Sequence, residues 1–276
     1  MTHKTVIQRH PIVIYFALVF ALAWGGILLI AHASASSDER GSPSQIGLVA
    51  LPMLFAPGVS ALALTALLDG RAGLRTMWMR LTCWQLELRW YLLALAVMPL
   101  LVLAILTALR RLVSPVYTPG LELLGLAGLL AGYLEEIGWT GFATPRLLVR
   151  WSPLSGGLLL GALWGLWHGL ADYVIRGNTL GAFWPVTFSL FVLPLVAWRS
   201  LMVWVYEGAP SGVIAQLMHC SYTGSLGLFI PIAALSPEQD ALVYAMLAVV
   251  LWLAVALLAL RQPRLSQALR EPVSKK

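Results

Sequence analysis

Six ionisable side chains lie within long apolar stretches of the sequence: Glu135, Glu136, His168, Asp172, Arg199 and His219. An ionisable group at the centre of a bilayer costs roughly 2.5–3.5 kcal/mol on insertion scales, so such groups are usually functional or paired. Glutamate and histidine together can act as a general base toward water, and both side chains also ligate Zn²⁺. Because the two glutamates and two histidines occupy three separate stretches, we expect them to converge in one site.

Glu135 and Glu136 are adjacent near the end of one apolar stretch. Neighbouring positions of a helix point about 100° apart, so the two carboxylates cannot both face one ligand in the same way. We therefore expect one carboxylate to face a cavity and the other to contact helical neighbours such as Thr140. The alternative is a glutamate pair at a helix end that reaches water.

His168 is spaced four residues from both Trp164 and Asp172, so the three share one helix face. This spacing predicts that the Asp172 carboxylate orients the His168 imidazole. His219 shares a helix face with Thr223 in the same way. The alternative for both histidines is a packing role, with Thr223 bonded back to its own helix. The sequence contains neither His-Glu-x-x-His nor Cys-x-x-Cys, so no spacing signature supports zinc.

The composition predicts the elements that position these residues. Of 276 residues, 59% are hydrophobic and 11% are charged, and the mean hydropathy is +0.82. These values exclude an ordinary soluble domain, and two cysteines, Cys83 and Cys220, exclude a disulfide scaffold. The apolar content suffices for about eight crossings at about 20 residues each. We predict an all-α, polytopic transmembrane helical bundle with an intramembrane polar cavity, forming a single membrane domain over residues 1–276.

The predicted spans can be read from the apolar runs between polar segments. These runs are Pro11–His32, Ile46–Leu68, Tyr91–Leu109, Leu121–Ile137, Leu154–Ile175, Phe183–Tyr206, Pro210–Ile230 and Ala241–Leu260. The helical pattern of the fourth run continues to Leu148. Residues 69–90 interleave arginines with leucine, methionine and tryptophan, which predicts an amphipathic helix in the membrane interface.

The distribution of basic residues predicts the orientation. With a cytoplasmic N-terminus, the inner segments contain thirteen lysines and arginines and the outer loops contain four, which favours both termini in the cytoplasm. Cleavage of a signal peptide at 33–35 is the alternative, but its apolar run exceeds the 7–15 residues usual for one. The short loops favour a bacterial inner membrane. The net charge of +6 is accounted for by these loops, so we expect no nucleic-acid partner.

Three motifs in residues 132–224 resemble those of the CAAX prenyl protease and bacteriocin-processing (CPBP, or Abi) family of intramembrane proteases. The family's Glu-Glu-x-x-x-Arg appears at 135–140 as Glu-Glu-Ile-Gly-Trp-Thr. Its Phe-x-x-x-His appears at 164–168 as Trp-Gly-Leu-Trp-His, and its His-x-x-x-Asn at 219–223 as His-Cys-Ser-Tyr-Thr. The resemblance implies that residues 132–224 form the catalytic core of an intramembrane (metallo)endopeptidase.

The resemblance also implies a role for each motif residue. Glu135 with His168 would activate the attacking water, and His219 with Thr223 would stabilise the oxyanion. Glu136 would support this arrangement. If a metal is used, Glu136, His168 and His219 would be the ligands, with zinc as the expected ion.

The implied partners are the lipid bilayer and a peptide or protein substrate, prenylated or not. Thr140 stands where the family motif has arginine, so Arg146 or Arg199 is expected to supply the missing cation. Thr223 offers a hydroxyl where the family motif has an amide. A catalytically weak or inactive member, acting as a peptide-binding membrane scaffold or immunity factor, is the alternative function. A proton-coupled transporter is disfavoured because the sequence has no inverted repeat.

Overall fold

The computed structural model describes residues 6–33 and 43–262, and every regular element within them is helical. The long helices are α1 (Pro11–Ala33), α2 (Pro43–Leu81), α3 (Leu88–Leu112), α4 (Leu124–Gly138), α5 (Pro153–Trp167), α6 (Trp184–Gly208), α7 (Gly212–Phe229) and α8 (Pro237–Arg261). Each of the eight apolar runs overlaps one of these helices. The predicted all-α helical bundle is therefore confirmed.

Five stretches in the described part of the chain are long and apolar enough to cross a membrane. They are Pro11–Ala33, Ser44–Leu81, Leu88–Leu112, Pro153–Gly208 and Pro237–Arg261. The fourth stretch contains both α5 and α6, and α4 is shorter, with 15 residues. The protein is therefore an integral membrane protein.

The orientation of the chain, its bacterial location and the uncleaved first span stay predictions. Part of the predicted cleavage sequence, at 34–35, lies outside the described residues. The same holds for six of the basic residues counted for orientation: Lys4, Arg40, Arg264, Arg270, Lys275 and Lys276.

Beyond Gly138, α4 continues through a π-helical turn, Trp139–Ala143, into a last helical segment, Thr144–Leu148. This confirms the predicted continuation to Leu148. Pro145 lacks a backbone N–H and its ring would clash with the carbonyl four residues earlier in a regular α-helix, which accounts for the wider turn before it. The Thr144 hydroxyl donates to the Trp139 carbonyl at 2.8 Å and closes the turn.

Helix α2 bends sharply at Gly70, whose φ of 61° and ψ of −156° lie in a region that favours glycine. After the bend, residues 71–81 form a helix with two unlike faces. Met77 and Leu81 are buried on one face, whereas the other exposes Arg71, Arg75, Trp78 and Met79. This is the amphipathic pattern expected for residues 69–90, whose location in the membrane interface stays a prediction.

Helices α4 and α7 pack with their backbones in contact. A Cβ atom on Gly132 would lie 2.4 Å from the backbone nitrogen of Cys220, and one on Gly128 would lie 2.8 Å from the Thr223 carbonyl oxygen. Small residues at such spacing let transmembrane helices approach closely. This contact places the glutamate one turn beyond Gly132 beside His219 on α7.

Helices α5 and α6 approach each other through a second set of glycines. A Cβ atom on Gly157 would lie 2.8 Å from the Cα atom of Ser200, and one on Gly161 would lie 2.9 Å from the Cα atom of Val196. Arg199 lies on the same part of α6 and is fully buried. The two glycine contacts thus bring α4, α5, α6 and α7 together around one set of polar side chains.

Substituting Gly132 with alanine is expected to destabilise the protein, because the added methyl group meets backbone atoms that cannot rotate away. Thermal unfolding of the purified protein in detergent measures the effect. The matched control is Gly25→Ala, since a Cβ atom there has nothing within 4 Å and alanine is the better helix former. Equal midpoints for the two variants would contradict the assigned packing of α4 on α7.

Candidate active site

The carboxylate of Glu136 is fully buried and accepts hydrogen bonds from three side chains. Arg199 donates to both oxygens, from Nη2 to Oε1 at 2.6 Å and from Nη1 to Oε2 at 3.0 Å. His219 Nδ1 donates to Oε1 at 2.7 Å, and the Thr140 hydroxyl donates to Oε2. One carboxylate on α4 is therefore held from α6, from α7 and from its own π-helical turn.

Arg199 supplies the cation that the first motif lacks. Its guanidinium is also stacked over the Trp164 ring, with Cζ 4.3 Å from the ring centroid. The other candidate, Arg146, forms an ion pair with Asp69 and lies over the Phe142 ring at 3.7 Å. Of the two expected cations, the structure therefore places Arg199 in the site and Arg146 at the bend of α2.

Glu135 points in a different direction from Glu136, as expected for adjacent helix positions. Its Oε2 accepts hydrogen bonds from the indole nitrogens of Trp139 and Trp164, each at 3.1 Å. Its side chain is almost fully buried, with 4% exposed. Glu135 is therefore an enclosed carboxylate held by two neutral donors, and the alternative of a pair that reaches water does not hold.

Trp164 is the side chain around which the predicted site residues meet. Its indole nitrogen donates to Glu135, and its ring centroid lies 4.7 Å from that of His219 and 5.7 Å from that of His168. The structure thus brings the three motifs together from α4, α7 and the end of α5. This is the convergence expected from the scarcity of charge inside the spans.

The hydrogen-bond partners of the two histidines indicate which ring nitrogen carries hydrogen. His168 Nδ1 lies 2.8 Å from the Trp164 carbonyl oxygen, which only accepts, so Nδ1 is the donor and Nε2 of the neutral ring is an acceptor. His219 Nδ1 likewise donates to a carboxylate. His219 Nε2 is buried and has no hydrogen-bond partner among residues 6–33 and 43–262. Its hydrogen-bonding capacity is therefore unused by the described protein groups.

Asp172 does not orient His168, so that prediction is wrong. Its carboxylate instead accepts a hydrogen bond from Trp184 Nε1 at 2.8 Å and pairs with Arg176 Nε at 3.1 Å. Helix α5 ends at the residue before His168 and a new short segment begins at Gly169. The Asp172 side chain thus has an indole and a guanidinium as partners, while His168 bonds back to its own helix.

Thr223 lies one helical turn after His219, but its hydroxyl is engaged with backbone atoms. Oγ1 is 2.6 Å from the Gly128 carbonyl oxygen and 3.0 Å from the His219 carbonyl oxygen. A hydroxyl has a single hydrogen to donate, and here it is directed at a main-chain acceptor. The proposed contribution of Thr223 to oxyanion stabilisation stays a prediction.

The donors expected for zinc are not arranged as a metal site. No group of three His, Cys, Asp or Glu side chains in the described ranges 6–33 and 43–262 could hold a metal ion. Both oxygens of Glu136 accept from Arg199, and this cation would repel an ion coordinated there. The side chains of Glu136, His168 and His219 are therefore not arranged as the expected zinc site, and the use of a metal by the protein stays a prediction.

The two indole donors of Glu135 were not predicted from the sequence. Trp139 stands four residues after Glu135, a spacing that places both on one helix face. The sequence places Trp164 on the helix face of His168 and in the second motif, but neither feature predicts its bond to Glu135. The indole nitrogen donates a hydrogen bond and cannot accept one. A tryptophan one turn from a buried carboxylate therefore predicts a hydrogen bond between the two.

A groove lies between residues 71–82 and helices α4 and α7. Its volume is about 450 Å³, and its walls are largely apolar. Tyr133 and Gln216 also line it, and each lies three residues before a site residue, Glu136 or His219. The groove is therefore lined by residues that precede two side chains of the site by about one helical turn.

These features define an integral membrane protein with a buried glutamate–histidine centre inside a helical bundle. The family model described as Rce1-like, type II CAAX prenyl endopeptidase, matches residues 99–225, which include all three motifs. The chain is also 29% identical over 99 residues to CAAX prenyl protease 2 of Methanococcus maripaludis. That match covers 33% of this chain and 35% of the relative, so the chain spans about a third of the relative's length. The resemblance to CAAX prenyl proteases stated from the motifs is confirmed, whereas its bacteriocin-processing part stays a prediction.

Proposed function

We propose that the protein is an intramembrane endopeptidase in which Glu135 and His168 activate a water molecule. The observation that carries this proposal is the meeting of Glu135, His168 and His219 around Trp164 inside a helical bundle. Glu135 accepts hydrogen bonds from two neutral indole donors and pairs with no cation within the described residues, an arrangement that suits the role of a general base. The similarity to proteins named as CAAX prenyl proteases supports the same reaction class.

In the proposed first step, the water gives one proton to the Glu135 carboxylate and donates its other hydrogen to His168 Nε2. The water oxygen attacks the carbonyl carbon of the peptide bond, and the carbonyl electron pair moves onto oxygen. His168 suits this role because its Nδ1–H is bonded to the Trp164 carbonyl, which leaves Nε2 as an acceptor.

In the second step, the carbon–nitrogen bond of the tetrahedral intermediate breaks and the leaving amine takes the proton held by Glu135. The oxyanion needs a hydrogen-bond donor before this collapse. His219 Nε2 is the unpartnered nitrogen of the site, and it donates only when it also carries hydrogen. Nδ1 is held by Glu136, so Nε2 is the ring nitrogen left to face the oxyanion.

We further propose that the substrate is a peptide that carries a prenylated cysteine in a carboxyl-terminal CAAX sequence. The names of the similar proteins point to such substrates. The apolar groove beside residues 71–82 supports this choice, because it is lined by Leu62, Leu74, Met77, Trp78 and Leu81. A substrate with a lipid chain would reach the site from the bilayer through this groove.

The test is cleavage of a synthetic CAAX peptide by the purified protein in detergent, with and without a prenyl group on cysteine. We expect the prenylated peptide to be cleaved at one bond, seen by mass spectrometry, and the unmodified peptide to be cleaved more slowly. Glu135→Gln is the inactive reference. Binding of the peptide by folded protein without any cleavage would reject the peptidase and favour the peptide-binding scaffold or immunity factor.

The same assay tests the role of a metal. We expect turnover to be unchanged after prolonged treatment with EDTA or phenanthroline, because the proposed step uses Glu135 and His168 without a metal ion. Addition of Zn²⁺ to the treated protein serves as the control. Loss of turnover that Zn²⁺ restores would favour the metalloprotease and would reject the water activation proposed above.

A further inference from the structure

A basic cavity lies at the N-terminal end of α1, apart from the glutamate–histidine centre. It is enclosed by residues 8–13 on one side and by side chains from 146–159 on the other, and its volume is about 400 Å³. Ligand sites in proteins usually occupy roughly 300–1,000 Å³. The cavity is therefore large enough for a small ligand or for the headgroup of a larger one.

The ionisable side chains of this cavity are all basic. Arg9, His10, Arg146 and Arg150 line it, and none of its lining residues is acidic. Arg146 is already paired with Asp69. The guanidinium groups of Arg9 and Arg150 are exposed and have no hydrogen-bond or ion-pair partner within the described ranges 6–33 and 43–262. Two cations without a counter-charge thus line one concave surface, which favours an anionic ligand.

Apart from Gln8, the rest of the lining is apolar, and three of its side chains are well exposed. Val13 is 65% exposed, Val149 is 76% exposed and Trp151 is 47% exposed, and all three line the cavity. A soluble anion would make no use of these side chains, whereas an amphiphile would cover them. Tryptophan is also the residue enriched where a transmembrane helix meets the headgroup layer. The combination of cations and exposed apolar groups selects a lipid with a negative headgroup.

We propose that this cavity binds an anionic phospholipid, with its phosphate between Arg9 and Arg150 and its acyl chains over Val13 and Val149. Basic pockets between transmembrane helices at the cytoplasmic side bind anionic headgroups in this way. The predicted orientation puts this end of α1 in the cytoplasm. The site does not depend on the proposed peptidase activity, because none of its residues is in the glutamate–histidine centre.

Native mass spectrometry of the full-length protein tests the site. Titration with phosphatidylglycerol is compared with titration by phosphatidylcholine, and inorganic phosphate is added as a competitor. We expect one tightly bound phosphatidylglycerol, weaker binding of phosphatidylcholine, and no displacement by millimolar phosphate. The double variant Arg9→Gln/Arg150→Gln is expected to bind phosphatidylglycerol at least tenfold more weakly, because both cations that meet the phosphate are removed.

The matched control is Arg110→Gln/Arg111→Gln, which removes two exposed arginines from the end of α3 and should bind phosphatidylglycerol as the unmodified protein does. Should the double variant at Arg9 and Arg150 not fold, Arg150→Gln alone is expected to weaken binding about threefold. Equal weakening in both double variants would overturn the site, since it would reflect net charge alone. Displacement by phosphate, or equal binding of phosphatidylcholine, would overturn the lipid assignment.

Discussion

Replacing Glu135 with glutamine is expected to lower kcat for the prenylated peptide by about 1,000-fold, within the range that a positioned general base contributes. Glutamine has nearly the same shape, so the side chain still fits between Trp139 and Trp164. Its carbonyl oxygen still accepts their hydrogen bonds, but the amide cannot take a proton from water. KM and the thermal midpoint should therefore change little.

The control for this substitution is Glu122→Gln, which changes an exposed glutamate just before the same helix and should leave kcat unaltered. A sharper test is the pair Glu135→Gln and His168→Ala. Residues that act on one water are strongly non-additive, so the double variant should be about as slow as the slower single variant. A Glu135→Gln protein within about tenfold of the unmodified kcat would reject the general base, whose loss should cost far more.

Replacing Arg199 with methionine is expected to lower both stability and kcat. The substitution leaves the Glu136 carboxylate buried without its cation, and removing one partner of a buried ion pair costs about 3–5 kcal/mol. The freed carboxylate also loses the bidentate contacts that fix its orientation. Since Glu136 holds His219 Nδ1, we expect kcat to fall by about 100-fold, as on loss of an oxyanion donor. Turnover and thermal unfolding measure the two effects.

The compensating substitution is Thr140→Arg, which returns arginine to the position that the family motif gives it. The Thr140 hydroxyl already contacts the same carboxylate oxygen that Arg199 contacts, so an arginine there is placed to restore the pair. We expect Arg199→Met/Thr140→Arg to recover most of the lost stability and turnover. Arg146→Met, which removes an arginine paired elsewhere, is the control. Unchanged stability and turnover in Arg199→Met would contradict the structural role assigned to this ion pair.

The fold class and the motif residues could be predicted because the chain has so few charges inside its apolar runs. Glu135, Glu136, His168 and His219 stand out against that background, and helical periodicity predicted that the two glutamates diverge. The continuation of α4 to Leu148 followed from the same periodicity. These predictions needed only local spacing and the cost of burying charge in a bilayer.

The hydrogen-bond and ion-pair partners of these residues could not be predicted as reliably, because they depend on how the helices pack. Arg199 is 63 positions from Glu136. The sequence alone does not distinguish it from Arg146 as the cation that replaces the motif arginine. Asp172 has the spacing to meet His168, but the break in α5 and the nearby Trp184 and Arg176 give its carboxylate other partners. The spacing of Gly128 and Gly132 indicates which face of α4 meets α7, but no prediction was based on it.

The backbone contact between α4 and α7 has a consequence for how the site works. Glu136 and His219 stand on two helices that cannot slide past each other without separating Gly128 and Gly132 from α7. The carboxylate and the imidazole are thus preorganised, because their alignment is completed when the protein folds. Under the proposed function, the opening that admits a substrate must then lie away from this helix pair.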